Sequence, residues 1–145
     1  MIWEMKITCI SGCYLKEDCI RILEIDSNSS LYSLHHAIQK AVDFANDHIY
    51  DFYAGRNAYN QKLRFADDYE WEDRENKFFE LTIEQIYPMP KSCKLYYLFD
   101  IGDDWRFEIR KSRKKPIPAK YNIKYPRVIE SIGPNPVQYP SYEEE

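Results

Sequence analysis

Residues 95–110 constrain this chain more than any other stretch. Trp105, Phe107 and Ile109 alternate with Arg106, Glu108 and Arg110. A period of two puts three large apolar side chains on one face of a strand and three charged ones on the other. The apolar run 93–99 precedes it, and Asp100-Ile101-Gly102-Asp103-Asp104 lies between. Five residues of this kind join two strands as a hairpin. Asp100 is expected to turn the chain through an Asx hydrogen bond and Gly102 to supply a positive φ. A hairpin with one apolar face is barely stable alone in water, so the other segments must extend and cover it.

Those segments read as follows. Met5, Ile7 and Cys9 alternate with Lys6, Thr8 and Ile10, which makes 4–10 a strand. Ser11-Gly12 breaks it, and the β-branched run 19–25 follows, closed by turn residues 26–30. Ser29 or Ser30 is placed to cap a helix over about 30–46, whose apolar face is Leu31, Leu34, Ile38, Ala41, Val42 and Ala45. His35 borders that face and His36 points away. A further strand is expected over 48–54 with Gly55 as its stop. Residues 56–80 read as an exposed insertion rich in Asn and acid, with aromatic residues that must still pack. Residues 81–86 suit a short helix stopped by Pro88 and Pro90. The Pro-rich tail 116–145 is expected to run extended along the surface, with an edge strand at Tyr121-Asn122-Ile123. The sum is one α+β domain over 1–145: a largely antiparallel sheet, one main helix on one face, a ββαβ opening in β-grasp-like order, and a C-terminal hairpin.

A chain of 145 residues buries enough surface to fold without staples. Its formal charge of −4 is mild. No apolar run approaches the ~18–20 residues of a membrane helix, and residues 1–6 carry no basic head before an apolar stretch, so no membrane partner and no secretion signal are expected. Cys9, Cys13, Cys19 and Cys93 form no C-x-x-C and no strong zinc spacing. They are expected to be reduced thiols of a cytoplasmic protein.

Three features bear on chemistry. The first is the acidic hairpin tip, Asp100, Asp103 and Asp104. Hard cations take several oxygen ligands, so a divalent metal is one reading, although the spacing is not that of an EF-hand. The second is the pair His35 and His48, placed at the start and beyond the end of one helix, too far apart to share a metal unless the chain folds back. The third is a charge asymmetry. Arg106, Arg110, Lys111, Arg113, Lys114, Lys115, Lys120, Lys124 and Arg127 face a single acid, Glu108, with Tyr121 and Tyr125 interleaved. Cations with aromatics suit a phosphate backbone and its bases. Equally, they suit a solvated face that balances the acids at 67–75. No Ser/His/Asp arrangement, phosphate-binding glycine loop or H-E-x-x-H occurs.

Leu31-Tyr32-Ser33-Leu34-His35-His36-Ala37-Ile38, then 48–52, then Tyr97 to Trp105 with its Gly102-Asp103-Asp104-Trp105 block, together resemble the plasmid Ri ORF-three-like family, also labelled insertion-element passenger, TnpR-like. The matching residues are His35, His48, Tyr97, Asp100, Gly102, Asp103, Asp104 and Trp105, and Tyr125-Pro126 fits a late Tyr-Pro. The family's Trp-Arg-Arg on the second strand is replaced by Cys19-Ile20-Arg21-Ile22, and its His two residues after the Trp by Phe107. The resemblance implies a small α+β domain often encoded on plasmids or near mobile elements, with no established activity. No serine-recombinase signature is present.

These features lead to a non-enzymatic binding or accessory domain, with nucleic acid or protein as partner and Arg106 to Arg127 as contact surface. Its rivals are a metal-assisted enzyme at the acidic tip and a structural protein-interaction module. No organic cofactor is expected.

Overall fold

A computed structural model describes residues 1–65 and 81–140. The first two strands are β1 (Ile2–Ser11) and β2 (Cys19–Asp26). Helix α1 (Leu31–Val42) follows, then β3 (Tyr50–Gly55) and the two-residue β4 (Leu63–Arg64). After the undescribed residues come the short helix α2 (Ile83–Ile86), β5 (Lys94–Phe99), β6 (Trp105–Lys111) and β7 (Arg127–Ile132). The strands make one antiparallel sheet in the order β4-β3-β5-β6-β1-β2-β7. The class is α+β. The chain runs β1, β2, α1, β3, but the β-grasp likeness stops there: β3 pairs with β4 and β5, and β5 and β6 stand between it and β1.

The period-two pattern does what its physics requires. Trp105, Phe107 and Ile109 are buried, and so are Met5, Ile7 and Cys9 beside them. Leu31, Leu34, Ile38 and Val42 of α1 close over this face, forming one core with Leu23, Ile25, Tyr97 and Phe99. Burying one such side chain stabilises by about 1.5–3 kcal/mol, so this layer dominates the favourable side of the balance. A smaller cluster, Tyr53, Ala58, Tyr96 and Leu98, lies apart from it.

Several boundaries differ from the sequence reading. Helix α1 starts as expected, with the Ser30 hydroxyl accepting from the Ser33 N–H. It ends four residues early. Asp43 adopts φ 58°, and its N–H satisfies the Gln39 and Lys40 carbonyls, so Ala45 leaves the apolar stripe and is exposed. Asp tolerates this left-handed conformation better than most residues. In the hairpin loop the positive φ falls on Asp100 (59°) and Asp104 (55°), not on Gly102. Asp100 does turn the chain, its Oδ1 accepting from the Asp103 N–H at 3.4 Å. The edge strand expected at Tyr121 to Ile123 is a turn, closed by Ile123 N–H to Lys120 O. The strand is β7 instead, where a β-branched run after Pro126 pairs with the otherwise open side of β2. Of the insertion assigned to 56–80, residues 66–80 lie outside the described residues, as do 141–145. Among the described residues, no helix is long and apolar enough to cross a membrane.

The loop between β1 and β2 seats on the hairpin through one glycine. A Cβ on Gly12 would stand 2.1 Å from the buried indole of Trp105. Trp105→Ala is expected to cost about 3–5 kcal/mol and Gly12→Ala about 1–3 kcal/mol in urea unfolding. Combined, the second penalty should vanish, because the ring that the new methyl meets is gone. Additive losses would show that Gly12 acts through something other than Trp105.

Candidate functional site

The motif residues gather at one end of the sheet, where the loop after α1, the β5–β6 hairpin tip and the C-terminal segment 133–140 meet. The centre is a buried hydrogen-bonded set. Tyr97 on β5 is fully buried, and its hydroxyl lies 2.5 Å from Nδ1 of His35 and 2.9 Å from the Gln39 amide nitrogen. Nε2 of His35 lies 2.7 Å from Oδ1 of Asn46, and the Asn46 N–H donates to Gln39 Oε1 at 3.0 Å. An amide oxygen only accepts, so the hydrogen of His35 sits on Nε2 and Nδ1 receives the Tyr97 hydroxyl hydrogen. Tyr50 stacks on the imidazole with ring centroids 3.7 Å apart. His35 is therefore a core residue, not a border one, and both its ring nitrogens are engaged.

Asn46, at φ 53°, begins a second, solvent-facing set. The Ala45 N–H donates to Oε1 of the buried Gln138, whose Nε2 donates to Asp47 Oδ1 at 3.0 Å. The Tyr139 hydroxyl donates to Asp47 Oδ2 at 2.6 Å. Nε2 of His48 lies 3.0 Å from that hydroxyl and 3.2 Å from Asp100 Oδ2. The Asp47 carboxylate pushes the Tyr139 phenol up to about 12, and the same hydrogen bond draws the Asp47 carboxyl below its usual range. The phenol keeps its proton at neutral pH and works as a donor. The chain does fold back between the two histidines: the rings of His35 and His48 lie 6.3 Å and 6.0 Å from that of Phe99. An open groove of about 540 Å³ runs beside this clasp, between Val42–Ala45 and Asn135–Tyr139.

Arg21 anchors the clasp from below. It is 3% exposed and bonds the carbonyls of Ala41, Ile20 and Ile132 and Oδ1 of Asn135. A cation on the last carbonyls of α1 also suits the helix dipole. The sequence reading missed Arg21, Gln39, Gln138 and Tyr139. Arg21 alone carried a signal, as a charge at a core position between Cys19 and Leu23.

The acidic tip separates rather than converges. Asp100 turns to His48 and the Asp103 N–H. Asp104 bonds Arg106 at 2.6 Å and the Ser11 hydroxyl at 3.0 Å. Among the described residues, no group of three His, Cys, Asp or Glu is arranged to hold a metal ion. The basic residues divide as well. Arg106 is half-buried on Asp104, the Tyr53 hydroxyl and the Ala58 carbonyl. Arg110 pairs with Glu108, Lys114 with Glu4 and Arg127 with Glu24, while Lys111 lies over the Trp3 ring. The side chains of Arg113, Lys115, Lys120 and Lys124 make no ion pair among the described residues, and Tyr121 beside them is wholly exposed.

Burial lowers His35 from its ordinary 6.5 to about 4. The folded state thus holds this imidazole neutral, and the unfolded chain takes up its proton first as pH falls. Stability from this group is complete above pH 6.5, drains away between 6.5 and 4, and is flat below. The full amplitude is about 3 kcal/mol at most. Urea unfolding across that window should show wild type losing stability more steeply than His35→Asn. Equal slopes would assign the loss to carboxylates.

The fold is similar to that of a solved protein of unknown function, MM3350 from Methanosarcina mazei Go1, with a TM-score of 0.66 and 19% identity over 90% of this chain and 68% of that one. No curated protein matches the sequence. Residues 5–138 match the family described as plasmid pRiA4b ORF-3-like protein, a span that takes in the buried set, the hairpin tip and the clasp up to Gln138, and the chain belongs to that family.

Proposed function

We propose that this domain is a binding module whose contact surface is the basic segment from Arg113 to Lys124, and that its ligand is nucleic acid. One observation carries the reading: Tyr121 stands wholly exposed between Lys120 and Lys124, with Arg113 and Lys115 nearby in sequence and none of these cations in an ion pair among the described residues. An aromatic ring open on its faces offers a base a stacking partner, worth ~1–3 kcal/mol per base. Free cations gain more from a phosphate than cations already paired. The segment is held by Ser112 on Glu4 just before it, by Ile117 on Ile2 within it and by β7 on β2 just after it, so its charges are presented at set places. The net charge of −4 works against nonspecific binding, and contacts between these cations and phosphates make affinity fall steeply with salt. The family's plasmid name fits a domain that works near DNA.

The experiment is fluorescence anisotropy with labelled single- and double-stranded DNA and RNA over a salt series. Lys120→Glu with Lys124→Glu should abolish binding and leave the unfolding midpoint in place. Tyr121→Ala should weaken single-strand binding several-fold with an unchanged salt slope. No binding by the wild type at low salt would overturn the reading.

A protein-interaction role is a second reading, favoured by edge strand β7, whose Val128, Ile129 and Ile132 are each more than 40% exposed. Association with a protein that is lost on Ile129→Lys, while nucleic acid is ignored, would favour it.

A further inference from the structure

Cys9 and Cys19 face each other across the antiparallel β1–β2 ladder as its last pair, with residues 10–18 connecting them. Residues directly opposite on such a ladder share a face, and both side chains enter the core, 5% and 1% exposed. Opposed Cα atoms stand roughly 4.5 or 5.5 Å apart, according to the hydrogen-bonding type of the pair. Disulfides bridge Cα atoms about 4.4–6.8 Å apart. The backbone therefore already holds the spacing of a disulfide, and both residues are free thiols. Burial pushes the Cys9 thiol up to about 12 and Cys19 upward too, while Arg21 tempers the second shift.

We propose that Cys9 and Cys19 are a redox-responsive modification site, which a low-molecular-weight disulfide closes into an intrachain disulfide. The thiolate of Cys19, favoured by Arg21, attacks one sulfur of the reagent RSSR. A mixed disulfide forms on Cys19 and RS⁻ departs. The thiolate of Cys9 then attacks Sγ of Cys19 and displaces the second RS⁻. The two protein protons pass to the two leaving thiolates, so RSSR is reduced to two RSH as the pair is oxidised. The bond would tie the roots of segment 10–18, which seats Gly12 on Trp105, donates Cys13 N–H to Asp103 O at 2.8 Å and places the Ser11 hydroxyl on Asp104. Oxidation thus stiffens the hairpin-tip side of the candidate site.

The exposed Cys13 and the half-buried Cys93 would compete for the reagent, so the test uses the full chain carrying Cys13→Ser and Cys93→Ser. It is brought to equilibrium with hydroxyethyl disulfide, and its intact mass, free thiols and thermal midpoint are read. The expected product is lighter by two hydrogen atoms, has no thiol left to alkylate after unfolding, and melts several degrees above the reduced form. Adding Cys9→Ala should leave only a hydroxyethyl adduct on Cys19. Two free thiols, or two separate adducts, in the pair-only protein would overturn the proposal.

Discussion

The hydroxyl of Tyr97 is the point on which the site end of this protein depends. It is a polar group in the middle of an aromatic and aliphatic core, and left unpaired there it would cost about 1–3 kcal/mol. Its partners, His35 and Gln39, lie one helical turn apart on α1, so satisfying it fixes the helix against β5 in one rotation and one register. The same two side chains hold Asn46, which sets the path of the loop after the helix. That loop in turn offers Ala45 and Asp47 to Gln138 and Tyr139, and His48 to Asp100. A chain of satisfied polar groups therefore runs from the deep core to the C-terminal segment. Hydrophobic burial alone would let α1 slide on the sheet; the polar set specifies where it stops.

Charge is arranged with similar economy. Many of the cations from 106 to 127 answer an acid or a ring, some two residues away along the chain and some on an adjacent strand: Arg106 on Asp104, Arg110 on Glu108, Lys111 over Trp3, Lys114 on Glu4, Arg127 on Glu24. Exposed pairs of this kind contribute little to stability, but they neutralise the sheet's own field. Among the described residues, the cations of this stretch that make no ion pair lie between β6 and β7, in the same segment as the wholly exposed Tyr121.

The strands were legible because alternation is a direct print of burial: Trp105, Phe107 and Ile109 needed no partner to be named before they could be placed inward. The start of α1 was legible from Ser30 for the same local reason. Its end was not, because Ala45 continues the apolar stripe and nothing in the sequence near Asp43 announces a left-handed residue. Strand β7 was missed because its residues are exposed on both faces and show no alternation; only the open side of β2 makes them a strand. His35, His48, Tyr97 and Asp100 were legible as a resemblance, but their grouping into a buried set and an exposed clasp was not. Gln138 and Tyr139 lie more than ninety residues from their partners, a distance no local pattern spans.

Hydrogen exchange on Tyr97→Phe tests the organising role of that hydroxyl most directly. The substitution keeps the ring and removes only the oxygen that joins His35 to Gln39. Amides of Ala45 and Asn46 should lose protection together with residues 135–139, while β1, β2 and β6 keep theirs. Unchanged protection in the loop, or an even loss across the whole sheet, would contradict the view that a buried polar set, not the apolar layer around it, positions the site.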